Sequence, residues 1–357
     1  MSYANAKKIN SKEATWFFVI LFVSKILFAD INEYVNHSGT AAYMQTGWCT
    51  FLAVVLFAVT SYLSGGDDIF YASRTAFGDI GLKVVGILIS VLLLMDTGVI
   101  FRVYSDIIAS IVLPESADFF ILILLAVAAG FAAFAGVGTL TSYSYAAGIV
   151  LVASLVLILV LNVPNYSLEN IYPVLGKGGD KILSGIGGIN VYADIFLLYI
   201  ISSDFKKDDS VKKTGVKAII ISGIVISLTT FLYILTVPYP ASSIFSLPVL
   251  EIAFDVNLDV IFQRAEALFL FLWIFSGFIL TGAYLAFSIK SFEKSFKLSD
   301  RRAVIGVFLL IAVCIALCVD TVSLKNGIYS GFYKVFTGIA FLLPPTVFLI
   351  KRLTGKE

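Results

Sequence analysis

Charged side chains are scarce in this chain of 357 residues, where Asp, Glu, Lys and Arg together make up only 14%. Soluble domains carry about 25% of these residues. Hydrophobic residues reach 59%, and the mean hydropathy is +0.97. The charges are also gathered between long apolar runs. A composition of this kind excludes an ordinary soluble globular protein and indicates a membrane protein.

Histidine and cysteine are nearly absent, with one His and three Cys. Cys49, Cys314 and Cys318 lie in apolar stretches, so packing is favoured over a disulfide or a metal site. The single His37, placed by the pattern in an outer loop, excludes membrane histidine chemistry and disfavours haem. Phosphate-loop, H-E-x-x-H and G-x-S-x-G motifs are missing. We therefore expect no enzyme, no metal or other cofactor, and no nucleic-acid partner.

Apolar runs of ~18 or more residues are long enough to cross a bilayer as helices. These runs do not alternate as barrel strands would, so helices are predicted. The sequence predicts an all-α integral membrane protein, in contact with membrane lipids, that forms a single transmembrane domain over residues 1–357. Ten spans are expected: Ala14–Ile31, Ala41–Leu63, Leu82–Val112, Phe119–Gly136, Tyr143–Leu161, Ile182–Ser203, Gly215–Val237, Val260–Ile289, Ala303–Val319 and Tyr329–Ile350.

The basic residues give the orientation, because cytoplasmic loops carry an excess of Lys and Arg. With both termini in the cytoplasm, eighteen Lys and Arg fall inside and four outside. All eight prolines are expected at span ends or in outer connections. Two outer segments, Asn162–Lys181 and Pro238–Asp259, are long enough for short helices at the membrane surface.

Several charged residues fall within or near the spans, where a charge costs at least ~2.5–3.5 kcal/mol. They are Lys25, Asp30, Asp96, Arg102, Asp106, Asp194 and Glu266. Arg102 and Asp106 are four residues apart on one helix face and can form an ion pair, for which a structural role is favoured. Glu266 follows Arg264 at the outer start of the eighth span, where a solvated or interfacial role is favoured.

Lys25 and Asp194 lie near the middle of the first and sixth spans. These spans are equivalent in a fold of two inverted halves, here about 14–161 and 182–350, whose first and sixth helices are discontinuous. The sixth span opens with Ser184-Gly185-Ile186-Gly187-Gly188, which is either the break or a frayed helix entrance. We expect a Lys25–Asp194 ion pair. The alternative is that Lys25 extends to the interface while Asp194 bonds a neighbouring helix or is protonated.

Five short motifs follow one another in an order that resembles a known family. They are Ile9-Asn10-Ser11-Lys12-Glu13; Asp67-Asp68-Ile69-Phe70-Tyr71 with Phe77-Gly78-Asp79-Ile80-Gly81; Arg102-Val103-Tyr104-Ser105-Asp106 with Leu113-Pro114-Glu115; Tyr172-Pro173-Val174-Leu175-Gly176-Lys177-Gly178; and Leu247-Pro248-Val249-Leu250-Glu251 with Phe262-Gln263-Arg264-Ala265-Glu266-Ala267 and Trp273. Together they resemble the permease-like B subunit of bacterial spore germination receptors (GerAB type), in the amino acid–polyamine–organocation superfamily, which has the LeuT-like fold.

The resemblance implies a subunit that senses an amino acid or similar nutrient in the spore inner membrane. Its partners would be a membrane-embedded A subunit and a lipoprotein C subunit. The implied pocket lies between helices one, three, six and eight, and its ligand-binding residues are Ser24, Lys25, Gly187, Gly188, Asn190 and Asp194. Ser24-Lys25 stands where the family usually has a glycine-containing break. Asp194 stands where it commonly has Glu. A secondary amino acid transporter driven by protons or Na⁺ is the alternative, since the same charges suit ion coupling.

Overall fold

The computed structural model describes residues 8–26, 31–113, 117–207, 209–245, 247–254, 265–298, 301–319 and 328–354. Within these ranges the ordered elements are helices, with one isolated parallel bridge between Ile9 and Phe205. In chain order the α-helices are α1 Ser11–Lys25, α2 Ile31–Ser38, α3 Ala42–Ser64, α4 Ile69–Ile111, α5 Asp118–Ala135, α6 Val137–Leu161, α7 Gly179–Ser184, α8 Leu198–Ile201, α9 Val211–Thr236, α10 Pro248–Phe254, α11 Ala265–Phe296, α12 Arg301–Cys318 and α13 Ile328–Thr354.

Eight helical stretches of the described chain are long and apolar enough to cross a membrane. They are Ile31–Ser64, Ile69–Ile111, Asp118–Ala135, Val137–Leu161, Gly179–Asp204, Val211–Thr236, Trp273–Phe296 and Gly331–Thr354, and a shorter apolar helix covers Arg302–Cys318. The expectation of an all-helical, multi-pass membrane protein is therefore confirmed. The two long segments that the sequence predicts to be outer connections contain short helices, namely Val163–Asn165, Leu168–Ile171, Ala241–Ser243 and α10.

Helix α4 begins much earlier than the predicted span, at Ile69 instead of Leu82. Asp68 caps its first turn, where the carboxylate accepts a hydrogen bond of 2.8 Å from the Phe70 amide. Gly78 then interrupts the helical dihedrals with φ 74° and ψ −165°, a conformation that favours glycine. The long helical stretch is therefore two helices joined at a kink, and the second of them is the membrane span.

Two placements expected from the sequence are wrong. Pro344 and Pro345 lie inside α13 and not at its end, and His37 lies in the last turn of α2 and not in a loop. The proline φ is compatible with a helix, but each ring removes a backbone donor. In α13 the Thr346 hydroxyl donates to the carbonyls of Leu342 and Leu343, at 2.9 and 2.8 Å, and so supplies a side-chain donor next to the two prolines.

Helices α4 and α11 approach closely along a stripe of small residues. The Ser90 hydroxyl donates to the Ser288 carbonyl at 2.9 Å, and the Ser288 hydroxyl donates back to the Ser90 carbonyl at 2.6 Å. Farther along α4, Gly98 faces α12, where an added Cβ would lie 2.6 Å from Ile315 Cβ and 2.9 Å from the Ala312 carbonyl oxygen. Small residues allow this close approach, which membrane helices use because lipid gives them no hydrophobic drive to associate.

Gly98→Ala should therefore destabilise the bundle, by about 1–3 kcal/mol, because the new methyl group overlaps the backbone of α12. The matched control is Gly306→Ala on α12, where the added Cβ meets nothing within 4 Å. There alanine should be neutral or stabilising by about 0.5–1 kcal/mol, because it favours the helix. The measurement is the apparent unfolding temperature of both variants in detergent; equal values for the two would contradict the packing described.

Candidate functional site

The sixth predicted span is not a continuous α-helix. Helix α7 ends at Ser184, and a 3₁₀ segment, Ile186–Leu197, follows before helical structure resumes in α8. Three glycines in four positions disfavour the α-helix here. The structure thus shows a break rather than a frayed entrance. In the first span, α1 ends at Lys25 and α2 begins at Ile31, and residues 27–30, including Asp30, lie outside the described residues.

Side chains from α2 and α3 donate further hydrogen bonds to carbonyls of the break, where the Gly185 carbonyl already accepts from the Gly188 amide at 3.3 Å. The Gly185 carbonyl accepts from Gln45 Nε2 at 2.9 Å and from Cys49 Sγ at 3.4 Å. The Gly188 carbonyl accepts from the Tyr34 hydroxyl at 2.6 Å. A carbonyl oxygen can accept two hydrogen bonds, and these side chains supply a further one where water is not available. The interrupted backbone is therefore held by its neighbours in one conformation.

Lys25 and Asp194 form the expected ion pair in the interior. Lys25 Nζ lies 2.9 Å from Asp194 Oδ2, and the two side chains are 9% and 0% exposed. The Tyr284 hydroxyl of α11 donates to the same carboxylate oxygen at 2.7 Å. The other oxygen, Asp194 Oδ1, accepts no hydrogen bond from the described part of the chain. The pair joins the end of α1 to the 3₁₀ segment and to α11.

A second buried carboxylate, Asp96 near the middle of α4, belongs to the same group. The Tyr333 hydroxyl of α13 donates to its Oδ1 at 2.8 Å, and Asp96 interacts electrostatically with both Lys25 and Asp194. We call Lys25, Asp96, Asp194, Tyr284 and Tyr333 the central cluster. The sequence marked Asp96 as a costly charge but did not place it in the pocket, and it gave no signal for the two tyrosines.

Aromatic rings surround the charged atoms of the central cluster. Lys25 Nζ lies 6.0 Å from the Tyr284 ring centroid and 5.9 Å from that of Phe336. A cation within about 6 Å of an aromatic face is attracted by the ring quadrupole. The site can therefore hold a positively charged group beside carboxylates, and it presents apolar surface to the rest of a small ligand.

The remaining predicted ligand residues are spread along the 3₁₀ segment. A 3₁₀ helix rises about 2 Å per residue. At that rise Asn190 lies about 8 Å and Gly187 about 14 Å from Asp194 along the helix axis. Gly188 is covered by Tyr34, whereas Gly187 is exposed and Ser24 is buried beside Lys25. The structure therefore brings Lys25 and Asp194 together, and it places the glycines near the other end of the segment.

The predicted Arg102–Asp106 pair is present at the far end of α4. Arg102 Nε and Nη2 contact the two carboxylate oxygens at 3.1 and 3.0 Å, a fork geometry, and Nη2 also lies 3.8 Å from Asp118 at the start of α5. These contacts support the structural role, since they join two consecutive helices. Arg264 and the side chain of Glu266 lie outside the described residues.

Ion pairs also connect helices and turns at the end of the molecule where α1 starts and α13 ends. We call this end the terminal face. On α11, Lys294 pairs with Asp68 of the α3–α4 turn and Lys290 pairs with Asp204 of the 3₁₀ turn Ser202–Asp204. On α13, Lys351 pairs with Asp67 of the α3–α4 turn. Ser203 adds a hydrogen bond of 3.0 Å to Asp68. The sequence predicted none of these pairs.

A cleft of about 510 Å³ opens beside the terminal face. Lys206, Lys207 and Lys212 lie on its wall, together with Asp209. It contains no residue of the central cluster, so this cleft is a separate feature of the terminal face.

Comparison with known proteins gives both a family and a fold. The model of a family described as spore germination protein matches residues 14–323. No curated protein matches in sequence. Among solved structures, Mhp1, a nucleobase-cation-symport-1 family transporter with bromovinylhydantoin bound, has a TM-score of 0.65 at 14% identity, over 96% of this chain and 80% of its own. The Eremococcus coleocola manganese transporter has a TM-score of 0.60 at 13% identity, over 95% and 76%. The chain has a transporter fold.

Removing one partner of the central ion pair should destabilise the protein more than removing both. Lys25→Met or Asp194→Asn leaves a buried charge without its partner, which costs about 3–5 kcal/mol. The double variant should therefore lose less than the sum of the two single losses. The measurement is a double-mutant cycle on the unfolding temperature in detergent. If the loss of the double variant equals the sum of the two single losses, the two residues have no interaction energy.

Gly188→Ala should destabilise the fold, because its Cβ would lie 2.1 Å from Tyr34 Cε1 and push that ring off its carbonyl partner. The neighbouring Gly187→Ala is the matched control, since its Cβ meets nothing within 4 Å. The lost hydrogen bond and the overlap should together cost about 1–3 kcal/mol. Thermal unfolding of the two variants compares them directly, and a larger loss for Gly187→Ala would refute this packing.

Proposed function

This chain belongs to the spore germination protein family, and on that premise we propose that it is the nutrient-sensing, transporter-like membrane subunit of a spore germination receptor. Its nutrient is an amino acid. The observation that carries the proposal is the buried Lys25–Asp194 ion pair beside a helix break. Charges are placed inside a membrane protein at a cost, and they commonly mark a substrate or ion site.

An amino acid zwitterion matches this pair in charge. Asp194 can accept from its ammonium group, and Lys25 can donate to its carboxylate, so the ligand would replace one ion pair by two. Net charge inside the site stays constant when a zwitterion enters, which avoids an additional buried charge. Ser24 and Asn190 have buried oxygens without hydrogen-bond partners in the described chain and can supply polar contacts.

The distances along the 3₁₀ axis argue against direct contact between Gly187 or Gly188 and a small ligand bound at Asp194. Both lie about 12–14 Å along the 3₁₀ axis from Asp194, at about 2 Å per residue. One small amino acid does not reach from Asp194 to these glycine amides. In the proposed complex the ligand therefore lies at the Asp194 end, and the glycines shape the entrance.

The proposal includes ten spans in two inverted halves, with both termini in the cytoplasm. Helices α1 and α12 would complete the eight long apolar stretches. The interrupted sixth span supports the discontinuous sixth helix of this fold. The terminal face would then be cytoplasmic, in the spore inner membrane, and the family supports a receptor with an A subunit and a lipoprotein C subunit.

Ion-coupled amino acid transport is the second candidate. Structural neighbours that are transporters, together with an additional buried carboxylate at Asp96, favour it. Uptake of a labelled amino acid into liposomes that contain the purified protein separates the two candidates. Accumulation driven by a proton or Na⁺ gradient identifies a transporter, whereas binding without accumulation identifies a sensor.

One amino acid in a panel of amino acids, nucleosides and sugars should raise the unfolding temperature of the purified protein with increasing concentration, because a ligand held by the native state stabilises it. Asp194→Asn should abolish this shift by removing the acceptor for the ammonium group. Asp106→Asn is the matched control, since that carboxylate pairs with Arg102 elsewhere on the molecule. A shift that survives Asp194→Asn but not Asp106→Asn would refute the assigned site.

A further inference from the structure

The charges of the central cluster do not balance. Lys25 supplies one positive charge, whereas Asp96 and Asp194 supply two negative charges, and both carboxylates are 0% exposed. If all three groups are ionised, the net charge is −1 in a region shielded from water. An uncompensated buried charge costs several kcal/mol. Such a group takes up a proton or binds a cation.

Asp96 is the carboxylate of the central cluster that takes no part in the Lys25–Asp194 ion pair. Lys25 Nζ contacts Asp194, whereas Asp96 is held by a neutral donor, the Tyr333 hydroxyl. Its second oxygen, Oδ2, is buried and accepts no hydrogen bond from the described chain, as is also true of Asp194 Oδ1. Two buried, unpartnered carboxylate oxygens in one cluster indicate a missing positive species between or beside them.

The charged and hydrogen-bonding groups that act on Asp96 come from α1, the 3₁₀ segment and α13. They are Lys25 from α1, Asp194 from the 3₁₀ segment and Tyr333 from α13, and Tyr284 of α11 adjoins Asp194. Lys25 is the cation among them, and it is already within 2.9 Å of Asp194. A proton is the smallest species that completes the charge balance, and it turns the bare Oδ2 into a hydroxyl.

We propose that Asp96 is a proton-binding site, which holds one exchangeable proton and so keeps the Lys25–Asp194 nutrient site electrically neutral. The site is a carboxylic acid in the resting protein, with Tyr333 donating to Oδ1 and the proton on Oδ2. A cation that enters the cluster without a carboxylate of its own would displace this proton to solvent and leave the net charge unchanged, whereas a zwitterionic amino acid brings no net charge and would leave the proton on Asp96. This last step rests on the proposed function, whereas the resting proton does not.

The direction in which stability changes with pH follows from the number of protons that the folded and unfolded states bind. An aspartate in the unfolded chain loses its proton near pH 4, at about 3.9. The folded protein keeps the proton on Asp96 above that pH, so it binds more protons than the unfolded chain. Its stability therefore decreases as pH rises, by about a tenfold change in the folding constant per pH unit while the proton is retained. Asp96→Asn carries no titrating group and should lose this decline.

The experiment uses the full-length protein in detergent without any nutrient, with protons and Na⁺ as the probes. The unfolding temperature is measured across the neutral pH range with and without NaCl, for the wild type, Asp96→Asn and the control Asp106→Asn. Infrared spectroscopy in H₂O and D₂O then records the carbonyl stretch of a protonated carboxylic acid. The wild type and Asp106→Asn should show the band and the pH-dependent decline, and Asp96→Asn should show neither.

Two results would overturn the proposal. If Asp96→Asn keeps the infrared band, the proton is on another group. If Na⁺ at constant pH stabilises the wild type but not Asp96→Asn, the site holds a metal cation instead. Should Asp96→Asn fail to fold, Tyr333→Phe replaces it. Removing the donor disfavours the carboxylate, so the pH-dependent decline should extend to a higher pH than in the wild type. An unchanged profile would contradict the assignment. None of these measurements requires the nutrient, so a failure of this proposal can be distinguished from a failure of the proposed function.

Discussion

Lys25 and Asp194 carry opposite charges into the interior of a membrane protein, and neither is favourable there without the other. Their contact of 2.9 Å constrains how α1 and the 3₁₀ segment lie against each other. Tyr284 donates to the same carboxylate and so places α11 beside them. The position of three elements therefore depends on one electrostatic requirement. The aromatic rings around Lys25 Nζ follow from the same requirement, because they keep water away while tolerating a cation.

The helix break imposes a second condition, which the backbone rather than the side chains creates. The 3₁₀ segment keeps backbone hydrogen bonds, and side-chain groups from neighbouring helices add to them at its start. Tyr34 and Gln45 provide those groups for Gly188 and Gly185, and the glycines allow both side chains to approach their carbonyl oxygens. Glycine thus serves twice in this segment, since it weakens the α-helix and leaves space for side-chain donors to reach the carbonyl oxygens.

The sequence was informative wherever one residue departs from its surroundings. Lys25 and Asp194 interrupt apolar runs, and the glycines of residues 185–188 interrupt a helix, so the ion pair and the break could both be predicted. Tyr284 and Tyr333 could not, because they are two of seventeen tyrosines and tyrosine is unremarkable in an apolar helix. The terminal ion pairs join positions as distant as Asp68 and Lys294, and such pairing depends on the folded arrangement of helices.

The central cluster and the terminal face are built on the same elements. Helix α11 carries Tyr284 and Lys294, and α13 carries Tyr333 and Lys351. The interrupted sixth span likewise carries Asp194 at one level and Asp204 at the other. Helices transmit displacement along their length, so a ligand that separates Lys25 from Asp194 acts on elements whose ends are held by ion pairs. A signal arises only if the ligand favours one arrangement of those ends over another. Under the proposed function, the terminal pairs contribute to the free energy that binding at the centre would have to overcome.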